Sequence, residues 1–445
     1  MKSILSFLLF TLFSASGFSQ VRLLEITHVT DSALYFNGKK NVAYHFGDRI
    51  TPHGNCLDAV NGYIYIAWYK GGMKNRNVML SRKKIEGGQW KTIQFPDKHI
   101  GYRGDSTLGD SHNTIAIGIS TIDQTVHLLY DMHAYDAKNF PGHYFNYRVS
   151  KKGGAVVEDK DWNISLFSDK LNYLKKGVNY EMATYPQFIR NDEGAIYAHW
   201  RNGGSGSGNE VFAKYDGKSW SDTRVLFIGK RIENEKAYSV YGDYKFLNGY
   251  LTAGFSIRYD DFTKGNPKYE LNTGLFYAKI KDVINDENWL KVNGEKDKIP
   301  VKRPETLQFA DPLSLGLGKR MSSGPSWTVT KSGVIHFIIS VNNTNVHYYK
   351  TASQKEFTIK KGAPSGSLYS IGDKIYLVGL QKGKPIIQSA KEGTNDWKII
   401  YQTKDKNLDY KHGNSILDGN KLVYFLMKEG KADALPLDVL VFELK

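Results

Sequence analysis

Short runs of Tyr, Phe, Val and Ile alternate with clusters of Gly, Asn, Asp and Lys along most of the chain, and helical spacing of apolar residues is scarce. This is the composition of strands and turns. One pattern recurs: a polar entry, a short apolar strand, a Gly/Asn/Asp turn and a second apolar strand. It runs from His53-Gly54-Asn55 to Ile64-Tyr65-Ile66, and from Ser111-His112-Asn113 to Val126-His127-Leu128. It recurs from Thr184-Tyr185-Pro186 to Ile196-Tyr197-Ala198, from Tyr241 to Tyr250-Leu251, and from Ser322-Ser323-Gly324 to Ile335-His336-Phe337. The last two copies run from Ser365-Gly366 to Ile375-Tyr376-Leu377 and from His412-Gly413-Asn414 to Leu422-Val423-Tyr424. Between successive copies stand Trp90, Trp162, Trp220, Trp289 and Trp397, while the unit near Phe357 has no tryptophan. A large aromatic at one place per unit would fill the gap between neighbouring sheets.

Seven such units, each with residues for about four strands, predict an all-β, seven-bladed β-propeller, because a small sheet must stack on neighbours and radial closure protects its edges. A two-sheet sandwich is the rival architecture, and seven units fit it poorly; six or eight blades are the neighbouring counts. The segment Leu23-Leu24-Glu25-Ile26 is expected to pair with Val439-Leu440-Val441-Phe442 and close the ring. The propeller is expected to occupy residues 20–445 as one domain.

Residues 1–19 read as an export signal: Lys2, an apolar run over residues 4–13 and then Gly17-Phe18-Ser19 before Gln20. No later stretch is apolar and long enough for a membrane helix, so a protein secreted or periplasmic, without a membrane span, is expected. Cys56 is the single cysteine, which excludes an intrachain disulfide. The chain has 60 Lys+Arg against 45 Asp+Glu. For an exported protein this surplus points to a polyanion, and export argues against nucleic acid and for a sulfated or uronic-acid polysaccharide.

The polar entries of the repeat converge on the axis of the ring and differ in residue type: His53, His112, Tyr185, Tyr241 and His412. His133 follows the inner strands of the second unit and Arg201 those of the third. The segment Asp110-Ser111-His112-Asn113, the segment Tyr130-Asp131-Met132-His133, and Tyr185 with Arg201 sixteen residues later resemble the active-site framework of propeller-type ulvan lyases, which carry BNR-like repeats. The resemblance is sharpest over residues 50–260. It implies a polysaccharide lyase that cuts ulvan by β-elimination at a uronic acid flanked by sulfated rhamnose, leaving a 4,5-unsaturated product. Arg201 would neutralise the uronate carboxylate. His112 and Tyr185 would share the base and acid steps in an order the residues leave open, with Tyr185 active if Arg201 lowers its pKa. His133 and Asn113 would add hydrogen bonds. Tyr241, with Tyr244 as its neighbouring rival, is a further candidate, and Arg320 and His412 are candidates for binding sulfate.

Some members of that family carry a structural metal. No His/Cys cluster surrounds Arg201 and Cys56 stands alone, so no metal and no other cofactor is expected. The run Gly203-Gly204-Ser205-Gly206-Ser207-Gly208 reads as a flexible loop. A monomer is expected. Two rival functions share the scaffold: a sialidase-like glycoside hydrolase, which would need paired carboxylates or an arginine triad, and a glycan-binding propeller without catalysis.

Overall fold

The computed structural model describes residues 21–34, 54–72, 75–106, 108–232, 235–261, 265, 267–405, 408–428 and 434–445; His53 and the export signal lie outside the described residues. Seven antiparallel sheets follow one another in a ring. Their innermost strands are Leu57–Val60, Ile115–Ser120, Ala183–Arg190, Tyr238–Leu247, Ser326–Val329, Ser367–Ile371 and His412–Asp418. Residues of all seven line one central channel. We number the blades 1 to 7 in that order.

The second strand of blade 1 explains why the hydrophobic runs in this chain are continuous rather than alternating. Tyr63–Tyr69 is buried along its whole length. Tyr63, Tyr65, Ala67 and Tyr69 pack with Ile117 and Leu128 of blade 2. Ile64, Ile66 and Trp68 point the other way, to Val423, Phe425 and Val439 of blade 7. Successive side chains leave a strand on opposite faces, and here both faces meet a neighbouring blade.

The ring closes as the sequence predicts. Val21–Leu34 forms the outer strand of blade 7 beside Ala434–Leu444, with Leu23 opposite Phe442 and Ile26 opposite Leu440. Both ends of the described chain thus share one sheet. Blade 4 is enlarged: Asn288–Leu290 and Lys296–Lys298 extend it, and Gln308–Ala310 also pairs with its strand Asn272–Ile280.

The tryptophan marks have one shared role, which is to pack against the preceding blade. Trp90 Nε1 donates to Thr27 Oγ1 of blade 7 at 3.0 Å. Trp162 lies against Tyr65 of blade 1, Trp220 against Tyr147 of blade 2, Trp289 against Phe227 of blade 3 and Trp397 against His347 of blade 5. In blade 5 the place is taken by Phe357, stacked on Phe309 with ring centroids 4.2 Å apart. Trp289 is fully buried. Trp289→Ala is therefore expected to destabilise the fold by about 3–5 kcal/mol, the usual cost of emptying so large a buried volume, read as a lowered midpoint of chemical denaturation. A loss under about 1 kcal/mol would mean that the blade collapses to fill the gap.

Candidate active site

At the mouth of the channel, blades 2, 3 and 4 each contribute polar side chains to one cluster. Its anchor is Asp110, which is fully buried. His112 Nδ1 lies 2.8 Å from Asp110 Oδ1, and His133 Nδ1 lies 2.5 Å from Asp110 Oδ2. The two imidazoles stack, with centroids 4.2 Å apart and planes 6° from parallel. An ionised carboxylate only accepts, so each Nδ1 carries the hydrogen, and a neutral His112 keeps its lone pair on Nε2. Burial alone would raise the Asp110 carboxyl, but the hydrogen bonds from His112 and His133 hold it well below the usual carboxylate range. Burial also lowers His112, assisted by the charges of His133 and Arg201 and opposed by Asp110, to about 4. His112 is then a neutral base near pH 7.

Tyr185 enters from blade 3. Its backbone has φ 56°, in the left-handed region that bulky residues rarely occupy. The pairing between Ala183–Arg190 and Ile196–Asn202 slips at this point, between His199 and Arg201. The resulting bulge directs Tyr185 toward His112, whose ring centroid is 5.3 Å away. Arg201 lies across the slip, with Cζ 4.8 Å from the Tyr185 ring centroid. Burial outweighs the Arg201 guanidinium and pushes the Tyr185 phenol up to about 12. Arg201 does act to lower this tyrosine, the condition the sequence reading set for its activity, but burial outweighs it and the net shift is upward.

The lowered tyrosine is Tyr241, from blade 4. Burial opposes its ionisation, but Arg201, Arg258, the Ser205 hydroxyl and Lys268 together bring the phenol below its ordinary value. Its hydroxyl lies 3.2 Å from Arg201 Nη1, 3.0 Å from Arg258 Nη1 and 2.9 Å from Ser205 Oγ. Arg258 is held in turn by Asn272 Oδ1, 2.7 Å from its Nε. Beneath Arg201, the cross-strand neighbour Glu210 turns its carboxylate to His199, 2.5 Å from Nε2. These side chains line one pocket with Tyr185 and Tyr241.

A family model described as a BNR repeat-containing family member matches residues 63–364. The short isoform of ulvan lyase from Alteromonas sp. (strain LOR) is 32% identical, over 96% of this chain and 91% of that protein. This chain belongs to the ulvan lyase family. The long isoform from the same strain is 31% identical over 98% of the chain, which spans only 48% of that protein. The crystal structure of the polysaccharide lyase Uly1 superposes with a TM-score of 0.86 at 30% identity, over 95% of this chain and 100% of that one. A PL25 ulvan lyase, 14% identical over 92% of this chain and 94% of its own, shares the fold with a TM-score of 0.65.

Set on this ulvan lyase propeller, the residues singled out from sequence divide into two groups. His112, His133, Tyr185, Arg201 and Tyr241 meet in the cluster. Asn113 does not face it: the residue is fully buried, and its amide nitrogen is directed at the Gly101 carbonyl and the Tyr135 hydroxyl. It supports the loop that carries His112. Tyr244 lies three positions beyond Tyr241 and so points to the other face of its strand. It packs against His199 and Phe212, with centroids 4.6 and 4.9 Å away. Arg320 is exposed above Tyr269, and His412 opens the innermost strand of blade 7.

The glycine run differs from the flexible loop expected of it. Gly206 and Gly208 donate their N–H groups to Ser239 Oγ, each at 2.9 Å, and Ser239 Oγ donates to the Gly204 carbonyl. A Cβ on Gly208 would sit 2.5 Å from Arg201 Cγ, so this glycine makes room for the guanidinium arm. Asp110, Ser205 and Arg258 were not given roles from sequence. Only the first had a visible signal, its place two residues before His112.

As for the metal of some family members, Asp110, His112 and His133 do bring ligand-type atoms within 4.8 Å of one another. Their Nδ1 and carboxylate oxygens already satisfy each other, which makes the set a poor metal cage. Burial pushes the Cys56 thiol far above its usual range, so it offers no ready thiolate.

Proposed function

We propose that this protein is a polysaccharide lyase that cleaves ulvan by β-elimination at the uronic acid. The observation that carries the reading is the meeting of a neutral imidazole, a protonated phenol and a buried guanidinium at one spot: the His112 and Tyr185 rings are 5.3 Å apart and Arg201 lies 4.8 Å from the latter. Arg201, steadied by Tyr241, binds the uronate carboxylate and offsets the charge that develops when C5 loses its proton. His112 Nε2 takes that proton, oriented by Asp110. Tyr185 donates its proton to O4 as the C4–O4 bond breaks and the C4–C5 double bond forms. The phenol held near 12 and the imidazole held near 4 supply these two protonation states at neutral pH.

The substrate is a sulfated, acidic polysaccharide, which the positive balance of the chain favours. Among the described residues no helix is long and apolar enough to cross a membrane. The leader pattern of residues 1–19 supports export, to the periplasm or beyond.

Ulvan incubated with the purified protein should yield products absorbing in the ultraviolet, the signature of a 4,5-unsaturated uronate. New reducing ends without that absorbance would instead indicate hydrolysis, and binding with neither would indicate a lectin-like propeller. A sialidase-like reading fares worse, because the carboxylates at the site are already engaged by histidines, Asp110 by His112 and His133 and Glu210 by His199.

A further inference from the structure

His99 is a buried histidine that no step of the proposed chemistry uses. It follows the outer strand of blade 1, Lys91–Lys98, at the start of the segment that carries Asp110 and His112 into blade 2. Its N–H donates to the Arg76 carbonyl at 3.0 Å. The Gly101 N–H donates to its Nδ1 at 2.8 Å, so the ring hydrogen stands on Nε2. That hydrogen is given to the Asp110 carbonyl, 3.2 Å away. Burial lowers the imidazole against the pull of Asp131, which keeps the ring neutral near pH 7. Each nitrogen of the ring thus has one fixed task.

The surroundings hold the ring in that pose. Tyr69 meets it edge-on, with centroids 5.0 Å apart, and the Tyr69 hydroxyl donates to the Asn113 carbonyl at 3.0 Å. The next residue along, Ile100, gives its N–H to Asp131 Oδ2 at 3.1 Å, and His143 Nε2 lies 2.6 Å from the same oxygen. Asp131 is buried and stands two residues before His133. The stretch of chain that brings His133 to the cluster therefore also fixes the place of His99. What His99 holds sets the geometry of the dyad. The Asp110 carboxylate accepts from both His112 and His133, so a shift of the Asp110 backbone moves both oxygens and both rings. The Asp110 carbonyl also accepts the Asn113 N–H at 3.2 Å, but that bond lies within the same short turn and travels with it. His99 ties the turn to a part of the chain eleven residues earlier.

We propose that His99 is a positioning residue of the lyase reaction: its Nε2 hydrogen bond to the Asp110 carbonyl sets where the carboxylate stands, and through it the direction in which His112 Nε2 faces the C5 hydrogen. The assignment rests on the proposed lyase activity. His99 touches neither substrate nor reacting atoms and acts only through Asp110. The effect is large because a misplacement of about 1 Å in a reacting group can cost roughly a hundredfold in rate.

The test compares His99→Leu with His99→Gln on ulvan. Leucine fills the space without a donor, whereas glutamine places an amide N–H close to the position of Nε2. In His99→Leu kcat should fall about tenfold or more, with KM within about twofold of the parent. His99→Gln should return kcat to within about threefold. A His99→Leu kcat within about twofold of the parent, a loss in His99→Gln equal to that in His99→Leu, or a loss carried by KM overturns the assignment. Should His99→Leu fail to fold, His99→Asn takes its place with the same outcomes, since its amide is too short to reach the Asp110 carbonyl. The imidazole N–H resonances of His112 and His133, read by nuclear magnetic resonance in protein with isotope-labelled histidine, report on the same bond without any polymer. They should move in His99→Leu and keep their positions in His99→Gln, and resonances unmoved in His99→Leu overturn the assignment. If the parent makes no unsaturated product from ulvan, the lyase reading fails on its own and the resonances still decide whether His99 places the dyad.

Discussion

Arg201→Ala is expected to reduce the production of unsaturated uronate from ulvan by about a thousandfold or more, with the far-ultraviolet circular dichroism of the propeller unchanged. The size follows from what the guanidinium does. Removing a proton next to an ionised carboxylate would place two negative charges on one small group, and a fixed cation in a buried pocket offsets that charge at little cost in reorganisation. Single donors of this kind are worth roughly 10²–10³ in rate, and a thousandfold loss corresponds to about 4 kcal/mol of transition-state stabilisation. Arg201 also steadies Tyr241 through the contact of 3.2 Å, so more than one donor is lost. Arg201→Lys should recover little, because an ammonium cannot bind the carboxylate in a planar, two-point manner while keeping that contact. The fold should persist, since the residue borders a pocket rather than the packed interior of a blade. Near-normal turnover in Arg201→Ala would remove the residue from the chemistry.

His112→Ala and Tyr185→Phe should each lower kcat by about 10²–10⁴, the usual contribution of a placed acid or base, and the pH profile should identify the base. His112 must be neutral to accept the C5 proton. Its folded pKa lies below the ordinary histidine value, at about 4, so kcat/KM should climb as pH rises through that region and level off above it. An ordinary histidine would place the same limb near 6.5. Tyr185 must keep its proton, and with its phenol at about 12 it should impose no alkaline loss below about pH 10. An acid limb centred at or above 6.5, or full activity in His112→Ala, would rule out His112 as the base acting from this environment. Asp110→Asn tests the support of the dyad. It keeps the shape but offers one accepting oxygen where the carboxylate offers two and carries no charge, so one Nδ1–H loses its acceptor and kcat should fall while KM changes little.

The repeat, the seven units and the ring closure were legible in the amino-acid sequence, because they depend on periodicity and on large aromatic residues at regular intervals. Trp90, Trp162, Trp220, Trp289 and Trp397 recur because each blade presents the same gap to its neighbour, and a fixed gap leaves a fixed mark. Phe357 shows the limit of that reading: a smaller ring fills the same gap and gives no distinct signal until Phe309 is seen stacked on it. His112, His133, Tyr185, Arg201 and Tyr241 were also legible, through their polar character at the entries of apolar strands and through the family resemblance.

Tertiary structure alone decided how these groups are tuned. Tyr185 and Tyr241 are the same residue type at similar places in successive repeats. Burial raises the first, while two guanidiniums and a serine hydroxyl lower the second. Neither the left-handed backbone at Tyr185 nor the approach of Arg258, 57 residues beyond Arg201 in the chain, is written in local sequence. The division has one physical cause. Blade stacking is a short-range, repeated demand on volume and hydrophobicity, so it appears as a pattern along the chain. The pKa of a buried group depends on which charges the folded ring brings within a few ångströms of it, and those come from other strands and from the neighbouring blade, at no fixed interval along the chain.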